Sequence, residues 1–203
     1  MHLAEDTYKT IANPSNQVLF KDRKSKFYGY AFPVEMASGV KPLVEGLKKK
    51  HPTANHFCYA WQIGVEKKTY RANDDGEPKN SAGMPIYGQI QSYELTNILV
   101  VVVRIFGGAK LGVSGLINAY KTTARMTLEM ATLERRVIET KVKLGFGYSI
   151  MSEVMRVLKK RNVRIISQQM EETCSFIIAV PKSQTDTICY ELKKIHPLEI
   201  SRP

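Results

Sequence analysis

Six consecutive apolar residues, ILVVVV at 98–103, run into Arg104 and a glycine-rich stretch whose sequence over 104–112 is RIFGGAKLG. A β-branched run of this length predicts a strand over 97–104, and it falls far short of the roughly 20 apolar residues that span a bilayer. Beyond the glycines, Leu116, Tyr120, Ala124, Leu128 and Ala131 recur every third or fourth residue and predict a long amphipathic helix. Ser114 or Gly115 is the expected N-cap. The chain must therefore pass from strand to helix through a tight turn, which Gly107, Gly108 and Gly112 permit.

The same reading extends over the rest of the chain. Tyr28, Tyr30 and Phe32 alternate along a strand predicted over 27–34. A helix over 37–51 carries Leu43, Val44 and Leu47 at helical spacing, three lysines in its last turn, where cations complement the dipole, and Pro52 just beyond. HFCYAWQI at 56–63 reads as a strand with Phe57, Tyr59 and Trp61 on one face and His56, Cys58 and Ala60 on the other. A strand over 68–72, a polar loop over 73–83 and a helix opened by Pro85 and carrying Ile86, Ile90 and Tyr93 complete this half. From Thr140 the order is strand, helix, two strands, helix and a short last strand, the βαββαβ of a ferredoxin-like unit. The fold class expected is α+β, with two domains at 1–136 and 137–203. Gly, Pro and Ser are absent from 135–139, so no flexible linker joins them.

Composition narrows the functional classes. The apolar fraction of 43% and charged fraction of 24% are those of a folded globular chain. The N-terminal MHLAEDTYKT has no basic region followed by an apolar stretch, and no membrane association is expected. Cys58, Cys174 and Cys189 form neither a disulfide framework nor a C-x-x-C pair, so a reducing, cytoplasmic setting is expected. The formal net charge is +11, from 30 basic and 19 acidic residues, and a charge of this sign draws polyanions such as RNA or the ribosome surface. Of these, 19 basic and 12 acidic residues precede Ile138, so the excess is not confined to a tail.

Several groups could carry chemistry. Asp74, Asp75 and Glu77 place three carboxylates within four residues around Gly76. They read either as a turn or as an oxygen-donor or acid/base site. Arg104, Phe106, Gly107, Gly108, Lys110 and Gly112 lie at the strand-to-helix junction, where backbone N–H groups and two cations can meet an anion. The alternative is that the glycines serve close packing while a cation neutralises the acidic loop, and both can hold together. The pattern is neither G-x-x-x-x-G-K-[ST] nor G-x-G-x-x-G, so neither a nucleotide-hydrolysing nor a dinucleotide fingerprint is present, and no cofactor is expected. His56 and Cys58 share a strand face about 7 Å apart at ~3.3 Å rise per residue, too far to act as a nucleophile pair unaided. Lys24 and Lys26, with Lys21 and Arg23, make a basic turn before an aromatic strand, a combination used to hold phosphates and stack bases. It is also the composition of a solvated hairpin end.

Taken in order, KSKF at 24–27, AxHxCxA at 54–60, DDGEPxxSAGxP at 74–85 and VVVRIFGGAKLG at 101–112 resemble the signature of the YigZ/IMPACT family. The resemblance covers about 18–132, and the remainder resembles the second domain of bacterial members. It implies an N-terminal domain similar to domain 2 of ribosomal protein S5 and a pairing similar to domains IV and V of elongation factor G, which touch RNA on the ribosome. Eukaryotic members are implicated in translational control, through an additional N-terminal domain that is not seen here. Ile105 departs from the aromatic usual at that position, and Val113 and Ser114 from the usual small pair.

Besides a protein-interaction module, two functions remain. One is a noncatalytic RNA- or ribosome-associated factor linked to translation regulation. The other is an enzyme acting on a phosphate-bearing or peptide ligand between the Asp74 and Gly107 loops, for which no complete catalytic constellation is present.

Overall fold

A computed structural model describes residues 6–202 and shows a mixed α+β protein whose chain divides after Arg136 into two compact units. The first, over 8–136, begins in strand β1 (Thr7–Ile11) and continues through β2 (Val18–Asp22), β3 (Ser25–Pro33), helix α1 (Val40–Lys50), β4 (His56–Ile63) and β5 (Thr69–Asn73). Helix α2 (Gly83–Ser92), β6 (Ile98–Ile105), α3 (Gly112–Met130) and β7 (Leu133–Val137) complete it. Five strands form an antiparallel sheet in the order β2-β3-β6-β4-β5, and β1 pairs with β7 in a separate two-stranded sheet.

The apolar run is the middle strand of the five. Ile98, Val100 and Val102 point into a core shared with α2 and α3, whereas Leu99, Val101 and Val103 point into a second core beneath α1. A strand buried on both faces loses the apolar–polar alternation of a half-exposed strand, and six consecutive apolar residues are the consequence. On β4, Phe57, Tyr59 and Trp61 face the α1 side, and Cys58 and Ala60 the other, as the alternation predicts.

Helix α3 buries Leu116, Tyr120, Ala124 and Leu128, matching the expected stripe, while Ala131 lies just past its end. The helix begins at Gly112, whose φ is +73°, so Ser114 and Gly115 lie inside its first turn and do not cap it. Buried Thr123 and Thr127 also lie on the inner face, donating to the carbonyls four residues back at 2.7 and 2.8 Å. Strands β1, β2 and β7 have no counterpart in the periodicity. β7 (LERRV) is largely charged and pairs with a segment more than a hundred residues away, which leaves no local apolar signal.

The second unit, over 137–202 with residues 6–7, contains β8 (Glu139–Gly147), α4 (Met151–Lys160), β9 (Arg164–Gln169), β10 (Thr173–Pro181), α5 (Thr185–Leu192) and β11 (Leu198–Ser201). Its sheet runs β11-β8-β10-β9 with every pair antiparallel. Leu144, Phe176 and Ile178 meet Val154, Leu158, Ile188 and Leu192 of the two helices in its core. No helix among the described residues is long and apolar enough to cross a membrane.

Helix α3 approaches the sheet closely over Gly29 of β3. A Cβ there would lie 2.0 Å from Thr127 Oγ1 and 2.8 Å from Val18 Cγ2. Gly29→Ala is therefore expected to destabilise the protein by about 1–3 kcal/mol. Urea unfolding reads this as a lower midpoint, and an unchanged midpoint would contradict the close approach.

Candidate functional site

Strand β6 delivers Arg104 to the end of the sheet, on the face covered by α3. Its Nη1 donates to Glu77 Oε1 at 2.7 Å, and the hydroxyl of Tyr120 donates to the same oxygen at 2.7 Å. The Arg104 and Glu77 side chains are 7% and 4% exposed, so this ion pair is shielded from solvent. The guanidinium carbon lies 5.5 Å from the ring centroid of Phe27 and 5.3 Å from that of Phe106, and a cation over these ring faces gains electrostatically. Arg104 Nε is buried without a hydrogen-bond partner, which leaves the Glu77 contact to carry most of the compensation for burying the charge.

The three carboxylates of the acidic loop do not converge. Asp74 Oδ1 accepts from the N–H groups of Ala82 and Gly83 at 3.0 and 2.8 Å, and its Oδ2 from that of Asn80 at 2.8 Å. It thereby caps α2 from eight residues upstream, where the helix dipole favours negative charge. Asp75 Oδ2 accepts from the Phe57 N–H at 2.6 Å, and Asp75 and Gly76 both have positive φ, at 42° and 88°. The loop is thus the turn that its composition allows, held by backbone donors, with Glu77 alone turned towards Arg104. Among the described residues no group of three His, Cys, Asp or Glu side chains is arranged to hold a metal.

His56 and Cys58 each meet a carbonyl of this loop. His56 Nδ1 lies 2.8 Å from Asp75 O, which can only accept, so Nδ1 carries the proton and Nε2 faces Glu77 Oε1 at 3.9 Å. Cys58 Sγ donates to Asp74 O at 2.9 Å and lies 3.3 Å from the Tyr120 hydroxyl. Burial pushes both the Cys58 thiol and the Tyr120 phenol well above their ordinary values, so both stay neutral. Among the described residues the thiol's hydrogen-bond partners are the Asp74 carbonyl and the neutral Tyr120 hydroxyl, neither of which is a base able to activate it.

The glycine loop rests on the β2–β3 hairpin. Arg23 and Lys24, its two central residues, have φ of 42° and 67°, the sense of a type I′ turn that side chains other than Gly, Asn and Asp seldom adopt. A Cβ on Gly107 would lie 2.1 Å from the Lys24 carbonyl, so glycine is required there. The Gly107 N–H donates to Ser25 Oγ at 3.2 Å, the Phe106 N–H to Asn55 Oδ1 at 2.9 Å, and Arg23 Nη1 to Lys110 O at 3.4 Å. These contacts place exposed Lys24 and Lys110 at one end of the sheet, with Gly108 in the connecting loop, whereas exposed Lys26 stands on the other face of β3, the side of Tyr28 and Tyr30.

Beside this edge lies a cleft of about 400 Å³. His56, Glu77, Arg104 and Lys110 form its polar side, and Phe106, Leu111, Val113 and Leu116 its apolar side, with Gly112 between them. Asp74 and Asp75, expected beside the glycine loop, do not line it, because backbone N–H groups hold both carboxylates elsewhere. Sequence reasoning passed over Tyr120, which its spacing marks only as a core residue of α3, and over Ser25 and Asn55, whose side chains hold the glycine loop. Ser25 is a specified residue of KSKF and so carries a motif signal, whereas Asn55 fills an unspecified position of AxHxCxA and carries none.

Removing one member of a buried ion pair strands the other. Glu77→Leu is expected to cost about 3–5 kcal/mol, and adding Arg104→Met should return part of that loss. A double-mutant cycle by urea unfolding measures this, and strictly additive losses would contradict a coupled buried pair.

Comparison with known proteins places this geometry in a family. A curated IMPACT family member of Haemophilus influenzae is 30% identical over 88% of this chain and 89% of its own. IMPACT family member YigZ of Escherichia coli is 29% identical over 80% of each. The crystal structure of a hypothetical protein aligns with a TM-score of 0.76 at 26% identity, covering 98% of both chains. The model of the Impact N-terminal domain matches residues 23–128, which take in the hairpin turn and β3, the acidic loop, the glycine loop and most of α3. The chain belongs to the IMPACT family.

Proposed function

We propose that this protein is a cytoplasmic, noncatalytic RNA- or ribosome-associated factor linked to translation, and that it meets RNA along the hairpin–glycine-loop edge. One observation carries the reading. Segments some eighty residues apart bring Arg23, Lys24 and Lys110 together around the glycine loop that carries Phe106, a residue 43% exposed. Clustered cations release counterions from a phosphate backbone, and an exposed aromatic offers a face to an unpaired base. The hydrogen bonds from Gly107 and Phe106 fix the loop, so these groups need little ordering on binding.

The net charge of +11 favours the same partner. The strand order of 137–202 supports a ferredoxin-like second domain, and the family resemblance, which implies an N-terminal domain over 1–136 similar to domain 2 of ribosomal protein S5, fits a ribosomal setting. The uses found for the acidic residues favour a noncatalytic role: Asp74 caps a helix, Asp75 holds a strand end, and Glu77 is taken by Arg104 and Tyr120. The cleft of about 400 Å³ beside Lys110 favours, as a second reading, a phosphate-bearing or peptide ligand.

Fluorescence anisotropy with a labelled ribosomal RNA fragment, titrated across salt concentrations, tests the first reading. Affinity should fall steeply with salt. Lys24→Ala combined with Lys110→Ala should lower the log–log slope by about 1.4–1.8, at ~0.7–0.9 for each phosphate that is no longer neutralised. Absence of binding, or a slope unchanged in the double variant, would overturn it.

A further inference from the structure

A second cleft, of about 320 Å³, lies on the opposite face of the sheet between α1 and the β4–β5 edge. Its floor is laid by strand register. Tyr59 pairs with Asn73 and Trp61 with Arg71, so these four side chains stand on one face. α1 forms the wall, with buried Val40 and Val44 below and exposed Lys41 and Lys48 above. At this size the cleft lies at the small end of ligand pockets, about 300–1,000 Å³.

Three of its donors have no partner. The Arg71 and Lys41 side chains make no ion pair or hydrogen bond among the described residues, and the Trp61 indole N–H, which is not buried, has no protein acceptor there either. The two carboxylates at the cleft are already occupied: Glu45 accepts from Lys48 Nζ at 3.0 Å, and Asp75 Oδ2 from the Phe57 N–H at 2.6 Å. The site therefore offers cations and an N–H around an aromatic floor. Tyr59 and Trp61, two residues apart on a strand, stand about 7 Å apart at ~3.3 Å rise per residue. Aromatic side chains displayed in this way on an open sheet face are how several RNA-binding modules stack unpaired bases.

We propose that this cleft binds unpaired nucleotides of single-stranded RNA, with a base stacked on Trp61 or Tyr59 and the adjoining phosphate held by Arg71 and Lys41. The inference rests on the reading of the protein as an RNA-associated factor and gives it a base-stacking subsite separate from the cationic edge. An acidic peptide would satisfy the cations but would leave the two aromatic faces without a planar partner, so the nucleotide is favoured.

Trp61 is the single tryptophan of the chain, so its emission reports this cleft and nothing else. The intact protein is titrated at low salt with fluorescein-labelled oligouridylate, following label anisotropy and, in a parallel titration of unlabelled strand, Trp61 emission. Saturable quenching should track binding. Arg71→Ala with Lys41→Ala, both at exposed positions, should weaken binding about tenfold, and an abasic strand of equal length should bind more weakly by a similar factor without quenching. Binding with Trp61 emission unchanged, or equal binding and quenching by the abasic strand, would overturn the cleft while leaving the cationic edge standing. Equal quenching by uridine monophosphate at the same concentration would assign the cleft to free nucleotides and overturn its assignment to RNA. No anisotropy change with any strand would overturn both the cleft and the RNA-associated reading.

Discussion

One oxygen of Glu77 accepts hydrogen bonds from Arg104 at the end of β6 and from Tyr120 in the middle of α3, so three segments distant in sequence meet at a single buried carboxylate. Burying a guanidinium and a carboxylate is costly, and the cost is offset only when each meets the other with good geometry. The chain meets that condition with an acidic loop whose other carboxylates cap α2 and hold the start of β4, leaving Glu77 turned inwards. Phe27 and Phe106 then enclose the guanidinium from two sides. The ion pair fixes where the central strand ends, and hence where the glycine loop begins.

From that fixed point the surface follows. Gly107 lies against the Lys24 backbone closely enough that no side chain fits, and the hairpin accepts two non-glycine residues at positive φ to bring Arg23 and Lys24 to the same edge. Ser25 and Asn55 anchor the loop through its own N–H groups, so its lysine is presented on a fixed backbone. The opposite face of the sheet is built by simple alternation. The register that sends Cys58 and Ala60 into one core sends Tyr59 and Trp61 towards α1, where the edge strand β5 leaves them partly uncovered. The cationic cluster and the aromatic cleft thus arise from the two faces of one sheet.

Much of this is legible in the sequence because it is local. The unbroken apolar run at 98–103 and the periodic patterns of α3 and β4 are local signals, and each lies where its pattern implies. The pairing of Arg104 with a residue of the acidic loop is also within reach, as charge neutralisation. The choice of Glu77 over Asp74 and Asp75 is not, because it depends on which backbone N–H groups the turn brings within 3 Å of each carboxylate. Non-local pairing hides β1 and β7. The start of α3 differs from the expected cap because Gly112, at positive φ, turns the chain into the helix two residues before Ser114. Tyr120 hides its hydroxyl's role behind a core position, since spacing reports a ring's burial and says nothing of its oxygen.

The proposed RNA contact runs along the end of the sheet that Arg104 and Glu77 hold in place. Lysine acylation followed by mass spectrometry, with and without saturating ribosomal RNA fragment, tests it at residue level. Acylation should slow at Lys24 and Lys110, both exposed in the free protein. Bound RNA with these two lysines labelled as fast as before would contradict that contact.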